Sequence, residues 1–166
     1  MMRLSFCFAA LFVLAQAVIA QTIPSFAGEN LAGESVHLPT GSKTVLVIGF
    51  SKKAGDACKP WFTQVAASLK DKSQVNYYEI PVLASAPGFI RGTIIHSIRK
   101  GITPEQQKHF IAVSDHEQEW KTAAKFSGAD DAYIIIVDER GSILWQDSGQ
   151  SSPAKQSTLQ SEIAKL

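Results

Sequence analysis

Hydrophobic residues recur along the chain in two alternating patterns, short continuous runs and stripes with helical spacing. The runs TVLVIGF at 44–50 and YIIIV at 133–137 are rich in β-branched residues, which predicts strands buried on both faces of a sheet. Shorter apolar runs predict further strands at Val36–Leu38, Val75–Leu83, Phe110–Val113 and Ile143–Trp145.

Apolar residues with helical spacing predict four helices and one short helical turn between these strands. The four helices cover about 57–69, 88–100, 115–126 with Asp115 as the cap, and 153–166. The short helical turn follows Thr103. The first helix is expected to follow a loop, SKKAGDACKPW, so that Cys58 and Pro60 lie in its first turn. The alternation predicts an α/β fold with a central mixed sheet and helices on both faces.

The first twenty residues, MMRLSFCFAALFVLAQAVIA, differ in character from the rest of the chain. Arg3 precedes an apolar stretch, Leu4–Val18, and small residues end at Ala20, which is the pattern of a cleaved secretory signal peptide. A retained membrane anchor is the alternative, but Gln16 interrupts the apolar stretch, and a span needs about 20 apolar residues. The sequence therefore predicts a signal peptide at 1–20, one domain at 21–166, and a periplasmic or secreted location.

Composition narrows the class of protein further. The chain has 166 residues, of which 45% are hydrophobic, and its formal net charge is +1. This length suits one domain, and the apolar fraction is too high for intrinsic disorder. Because the charge is nearly balanced, we expect no nucleic-acid partner. We also expect no membrane span once the signal peptide is removed.

Two regions carry a resemblance to known proteins. The stretch FAGENLAGESVHLPTGSKTVLVIGFSKKAGDACKPW, residues 26–61, resembles the opening of the peroxiredoxin and thiol-oxidoreductase branch of the thioredoxin superfamily. In that branch, a phrase of the type L-x-G-x-x-V-x-L precedes the buried strand and the active-site loop. The resemblance implies a thioredoxin-like fold.

A narrower resemblance covers the second half of the chain. GFIRGTIIHSIRKGITPEQQKHFIAVSD, from residue 88, and AYIIIVDERGSILWQDSGQ, from residue 132, are similar to the thioredoxin-like assembly factor of the mitochondrial ATP synthase and its bacterial relatives. The matching features are the FIR…IRKGI helix and the D-x-x-G-x-I-x-W…G hairpin. This resemblance favours a protein partner that docks on the second helix, the part of the chain that matches the assembly factors best.

The active-site loop departs from the thioredoxin pattern. The C-x-x-C frame of the superfamily falls on residues 55–58, Gly-Asp-Ala-Cys, so Gly55 stands in the place of the nucleophile. The usual cis-proline before the YIIIV strand is also missing, since Asp131 and Ala132 precede Tyr133. Neither the T-x-x-C of peroxiredoxins nor the C-x-x-x-C of copper-delivering relatives occurs. We therefore expect no dithiol exchange.

Cys58 is the one candidate catalytic residue. It is the only cysteine after residue 20, so no disulfide can form within 21–166. A position at the start of a helix, near Lys52, Lys53 and Lys59, would favour a reactive thiolate. The alternative is a small residue packed in the core.

Arg91, Arg99 and Lys100 are the candidate binding residues. They are expected to form a basic stripe on the second helix, opposite its isoleucines. Such a stripe could dock an acidic partner or lipid headgroups, and the alternative is an ordinary solvated helix face.

No cofactor or metal is expected. The four histidines show no ligand-pair spacing, and Asp130 and Asp131 alone supply too few oxygens for calcium.

Three functions remain open. The favoured one is an exported thioredoxin-fold protein that lacks the C-x-x-C pair and acts as a binding or assembly factor, with a protein partner in the cell envelope. A monothiol peroxidase or reductase using Cys58 is the second, and a structural remnant without chemistry or partner is the third. The sequence leaves the oligomeric state open.

Overall fold

Residues 21–166 are described in the computed structural model of the chain, and the predicted signal peptide lies outside them. The strands are β1 Phe26–Glu29, β2 Ser35–Leu38, β3 Thr44–Gly49, β4 Asn76–Pro81, β5 Ala132–Val137 and β6 Ile143–Ser148. The helices are α1 Lys52–Leu69, α2 Gly88–Gly101, α3 Pro104–Gln107, α4 Glu117–Ala123 and α5 Pro153–Ala164.

The central sheet is mixed, as the sequence predicts, with strand order β4-β3-β5-β6. β3 and β4 are parallel, whereas β5 is antiparallel to both β3 and β6. The predicted strand Phe110–Val113 extends the sheet beyond β4 through two parallel bridges, Glu79 with Phe110 and Val82 with Val113. β1 and β2 form a separate hairpin. β1 was not predicted, because its sequence FAGE has only one large apolar residue.

β3 and β5 are buried along their whole length, which confirms the expectation for continuous apolar runs. Alternate residues of each strand enter two cores. One core lies under α1 and α5, with α2 packed at its margin. The other contains Trp120 of α4 and Val36 and Leu38 of the hairpin. Helices therefore cover both faces of the sheet.

The predicted start of the first helix is wrong. α1 begins at Lys52, because the Ser51 hydroxyl caps it by accepting a hydrogen bond from the Ala54 amide at 3.0 Å. The predicted loop is therefore helical, Cys58 lies in the second turn, and Pro60 lies inside the helix rather than in its first turn.

The start of α4 also differs from the prediction. Its N-cap is His116, in the left-handed conformation with φ of 53° and without a side-chain cap, rather than Asp115. The capping box after Thr103 is present at α3, as predicted.

Gly49, at the end of β3, allows α1 to approach the sheet closely. A Cβ atom at this position would lie 3.2 Å from the Cys58 sulfur and 3.3 Å from the Ala54 Cβ. Both distances are shorter than ordinary van der Waals contacts, so a side chain here would push α1 away from the strand.

We expect Gly49→Ala to lower the free energy of unfolding by about 1–3 kcal/mol. Combining it with Cys58→Ala should recover part of that loss, because the sulfur that the new methyl group meets is gone. Urea unfolding of the two single variants and the double variant measures this coupling. Strictly additive effects would contradict the contact.

Gly55→Ala serves as the control. A Cβ atom at Gly55 meets nothing within 4 Å, and the residue is helical, so this change should stabilise the protein by about 0.5–1 kcal/mol.

Candidate functional site

The start of α1 is tied to the loop before β5. Ser51 Oγ donates to Asp130 Oδ1 at 3.0 Å, and Lys53 Nζ lies 3.2 Å from Asp130 Oδ2. The hydrogen bonds from Lys53 and Ser51 hold the pKa of Asp130 below its usual value. Asp130 therefore links the start of α1 to the loop before β5 at the protein surface.

The candidate catalytic residue Cys58 is fully buried, with 0% of its surface exposed. Its sulfur packs against Gly49 and the core under α1. Burial raises the pKa of the thiol far above its usual value, and the nearby charge of Glu79 raises it further. The helix N-terminus does not offset this, since Cys58 lies in the second turn of α1. A thiol in this state is a poor nucleophile.

Glu79 is a site residue that the sequence reasoning missed. It lies on β4 opposite Val47 of β3, and only 8% of its surface is exposed. Within residues 21–166, its carboxyl group has no hydrogen-bond or ion-pair partner. Burial raises the pKa of this carboxyl to about 8, and the charge of Lys59 opposes the shift. An acidic residue between Tyr78 and Ile80 in a predicted strand was the signal that could have revealed it.

Lys59 is the nearby cation that could have paired with Glu79. It instead contacts Asp56 on the same helix, with 2.6 Å between Lys59 Nζ and Asp56 Oδ1. This exposed pair lowers the pKa of Asp56 and raises that of Lys59. Among residues 21–166, the Glu79 carboxyl is therefore left without a cationic partner.

The predicted basic stripe does not form as expected. Arg91 is half-buried and donates to the carbonyls of Ala84 and Ala86, at 2.7 and 2.8 Å. At about 100° per residue, Arg91 falls on the same side of α2 as Ile95 and Ile98, rather than opposite them.

The other two candidate cations are exposed. Arg99 uses its Nε to bond the Leu31 carbonyl at 3.0 Å, and its residue remains largely exposed, as does Lys100. A binding role for Arg91, Arg99 and Lys100 stays a prediction.

α2 is the least embedded of the longer helices, since none of its residues is fully buried. Ile95, Ile98 and the following Ile102 pack against the core under α1. Phe89, in the first turn, is 87% exposed. A large aromatic side chain in water is the most prominent apolar feature of the described surface.

Residues 21–166 contain no group of three or more His, Cys, Asp or Glu side chains that could hold a metal ion. His109 stacks on Tyr77, with 3.9 Å between ring centroids. His116 pairs with Glu119 at 2.9 Å, and this contact raises the pKa of the imidazole.

Over residues 21–166, none of the helices combines the length and the apolar character needed to cross a bilayer.

The fold is thioredoxin-like. The chain is similar to the thioredoxin domain of a thiol-disulfide oxidoreductase from Bacteroides vulgatus, with 16% identity, a TM-score of 0.57, and coverage of 89% of this chain and 99% of that one. StoA from Bacillus subtilis matches with 17% identity, a TM-score of 0.55 and coverage of 87% and 98%. BsSco, a member of the Sco family of cytochrome c oxidase assembly proteins, matches with 13% identity, a TM-score of 0.58 and coverage of 89% and 94%. At these identities, the likeness shows the fold alone.

The family is narrower than the fold. The family model described as ATP10 protein matches residues 8–166, so the chain belongs to the ATP10 family. This agrees with the resemblance to ATP synthase assembly factors in the second half of the sequence. No curated protein sequence matches the chain.

We expect Cys58 to resist alkylation in the native protein, because its thiol is buried and its pKa is raised. Iodoacetamide labelling at pH 8 should be at least a hundredfold slower than in urea-unfolded protein. Mass spectrometry of timed samples measures both rates. Rapid native labelling with a midpoint below about pH 8.5 would instead indicate an exposed thiolate.

Glu79 should make the native state less stable as the pH rises. Its folded-state pKa, about 8, lies above the ordinary value of 4.5, so the folded protein holds a proton that the unfolded chain releases between these values. The free energy of unfolding should therefore fall by about 3 kcal/mol between pH 5 and pH 8 through this residue.

Glu79→Gln should remove that part of the pH dependence, whereas Glu139→Gln, which changes an exposed glutamate, should leave it in place. Urea unfolding at several pH values compares the two variants with the wild type. Parallel curves for the wild type and Glu79→Gln would show that Glu79 has an ordinary pKa.

Proposed function

We propose that the chain is exported and acts in the cell envelope as a binding or assembly factor, without dithiol chemistry. The observation that carries this proposal is that α1 begins at Lys52 and buries Cys58. A continuous helix occupies the place of the reactive loop, Gly55 stands at the nucleophile's position, and Cys58 is buried in the second turn. A protein that keeps the fold while its thiol is withdrawn from solvent is suited to binding rather than to exchange.

Membership of the ATP10 family supports the same function. The assembly factors in that family act on a protein complex, the ATP synthase, and the corresponding partner here would be a component of that complex. The predicted signal peptide at 1–20 supports a location on the outer side of the cytoplasmic membrane.

Helix α2 is the surface that we assign to partner binding. It carries the most exposed large hydrophobic side chain of residues 21–166, Phe89, and it has no acidic residue beside its two exposed cations, Arg99 and Lys100. Exposed aromatic and arginine side chains are enriched where proteins meet. The helix also lies within the segment that most resembles the assembly factors.

We expect a photoreactive benzoylphenylalanine at position 89 of the full-length chain to cross-link to a discrete envelope protein in living cells. The same group at position 144 should give no such adduct, because Leu144 is also an exposed apolar residue, at 54%, but lies on β6. Fractionation and mass spectrometry identify the adduct, and the bound chain should begin at Gln21.

Equal adducts from both positions, or none from position 89, would contradict the proposal. Cys58→Ser should leave the adduct unchanged. A cell phenotype that depends on Cys58 while the adduct persists would favour the monothiol enzyme instead.

A further inference from the structure

The exposed residues of α2 lie on one side of the helix. Because successive residues are rotated by about 100°, positions 89, 93, 96 and 100 follow one line along the helix axis. All four are exposed, as are the two residues that flank this line on one side. We call these residues the α2 outer face: Phe89, Gly92, Thr93, His96, Arg99 and Lys100. The half-buried isoleucines lie on the opposite side, so the outer face is what α2 presents to other molecules.

The charges of the α2 outer face have one sign. Arg99 and Lys100 are its cations, and residues 80–104 contain neither aspartate nor glutamate. Each of the other helices among residues 21–166 contains at least one acidic residue. The two cations lie in the last turn of α2, where the helix dipole favours positive charge, but the dipole supplies no carboxylate to pair with them.

The acidic residue of the neighbouring helix α3 is already engaged. Glu105 pairs with Lys108, with 2.9 Å between Glu105 Oε2 and Lys108 Nζ. Neither cation of the α2 outer face takes part in an ion pair within residues 21–166. A carboxylate from outside the chain would therefore not have to displace an existing partner.

Arg99 is held in place by one part of its guanidinium group. Its Nε donates to the Leu31 carbonyl at 3.0 Å, and its two terminal nitrogens donate to no residue within 21–166. These nitrogens present N–H groups that match the two oxygens of a carboxylate. Since one hydrogen bond already orients the group, binding a carboxylate costs less side-chain entropy here than at a free arginine.

Phe89 lies at the other end of the α2 outer face. It is 87% exposed and precedes Lys100 by eleven residues, which is about 16 Å along the axis at 1.5 Å per residue. Gly92, one turn after Phe89, has open space where a Cβ atom would lie, so a partner side chain can pack beside the ring. The face thus has an apolar end and a basic end, about three helical turns apart.

We infer that the α2 outer face binds a helix of the partner protein, which places an apolar side chain over Phe89 and an aspartate or glutamate against Arg99 and Lys100. The inference rests on the proposed function, in which α2 binds a protein, and it adds the chemistry of that partner. A helix is the fitting element, because α2 bonds its backbone groups within itself and offers no strand edge for pairing. Opposite charge at one end fixes the direction of the partner helix.

A membrane surface fits these residues less well. Helices that lie on anionic lipid insert a wide apolar face and carry cations along their polar face. In α2, Ile95 and Ile98 instead pack against the core under α1, which leaves Phe89 as the one exposed large apolar side chain of the helix. The exposed cations lie about three turns from that ring, at the opposite end.

Charge reversal at the basic end tests the inference, with the cross-link from position 89 as the readout. In the full-length chain with benzoylphenylalanine at position 89, Lys100→Glu should lower the yield of the adduct about tenfold, because like charges facing each other across an interface repel. Lys70→Glu is the matched control, since Lys70 is an exposed lysine at the C-cap of α1 and its reversal changes the net charge equally. The control should keep the yield of the parent chain, and urea unfolding should show similar stability for both variants.

The partner supplies the second half of the test. Mass spectrometry of the adduct locates the cross-linked residue, and an aspartate or glutamate should lie about eleven residues from it on the same helical face. Changing that acidic residue to lysine should lower the yield with the parent chain and restore it with Lys100→Glu. Restoration by this exchange of charges shows a direct interaction, which neither single change does.

A yield that Lys100→Glu leaves unchanged, an equal loss in Lys70→Glu, or an exchange of charges that restores nothing would each overturn the inference. An intact adduct from the parent chain would then leave the proposed function in place, whereas the absence of any adduct from position 89 would remove both. Phosphatidylglycerol vesicles that sediment the purified wild-type chain but not Lys100→Glu, together with an adduct that ignores charge, would assign the basic end to lipid.

Discussion

The close contact between β3 and α1 determines much of the structure. Because Gly49 has no side chain, Cys58 and Ala54 can pack directly on the strand, and α1 lies low over the sheet. The same contact withdraws the Cys58 sulfur from solvent and brings Glu79 under the helix. A buried thiol with a raised pKa and a nearly buried carboxyl are thus two results of one packing arrangement.

The cap at Ser51 explains why the start of α1 is helical although it contains two helix-breaking residues, Gly55 and Pro60. Ser51 satisfies the Ala54 amide and contacts Asp130, so the helix can begin directly after β3. Gly55 then lies inside the helix, and no loop separates β3 from α1. The Ser51 cap therefore places Gly55 and Cys58 within α1 rather than in a loop before it.

Most of the sheet could be predicted because β3 and β5 are continuous β-branched runs whose burial on both faces leaves little choice of structure. The start of α1 could not, since glycine and proline near Cys58 suggest a loop unless the cap at Ser51 is given more weight. Arg91 was misplaced because its charge suggested solvent, while helical geometry directs it inward to the carbonyls of Ala84 and Ala86. Glu79 was missed because its environment depends on which helices cross β4, which local sequence does not reveal.

After β4, the chain leaves the sheet, forms α2 and α3, and then returns to the sheet beside β4. Phe110–Val113 pairs with the edge of β4 through two parallel bridges. Both ends of this excursion are fixed by backbone hydrogen bonds, whereas α2 within it contributes no fully buried residue. Sequence changes at the exposed positions of α2, such as Phe89 and Lys100, should therefore have little effect on the sheet. Over evolutionary time, the family could exchange the surface that α2 presents while the scaffold beneath it stays the same.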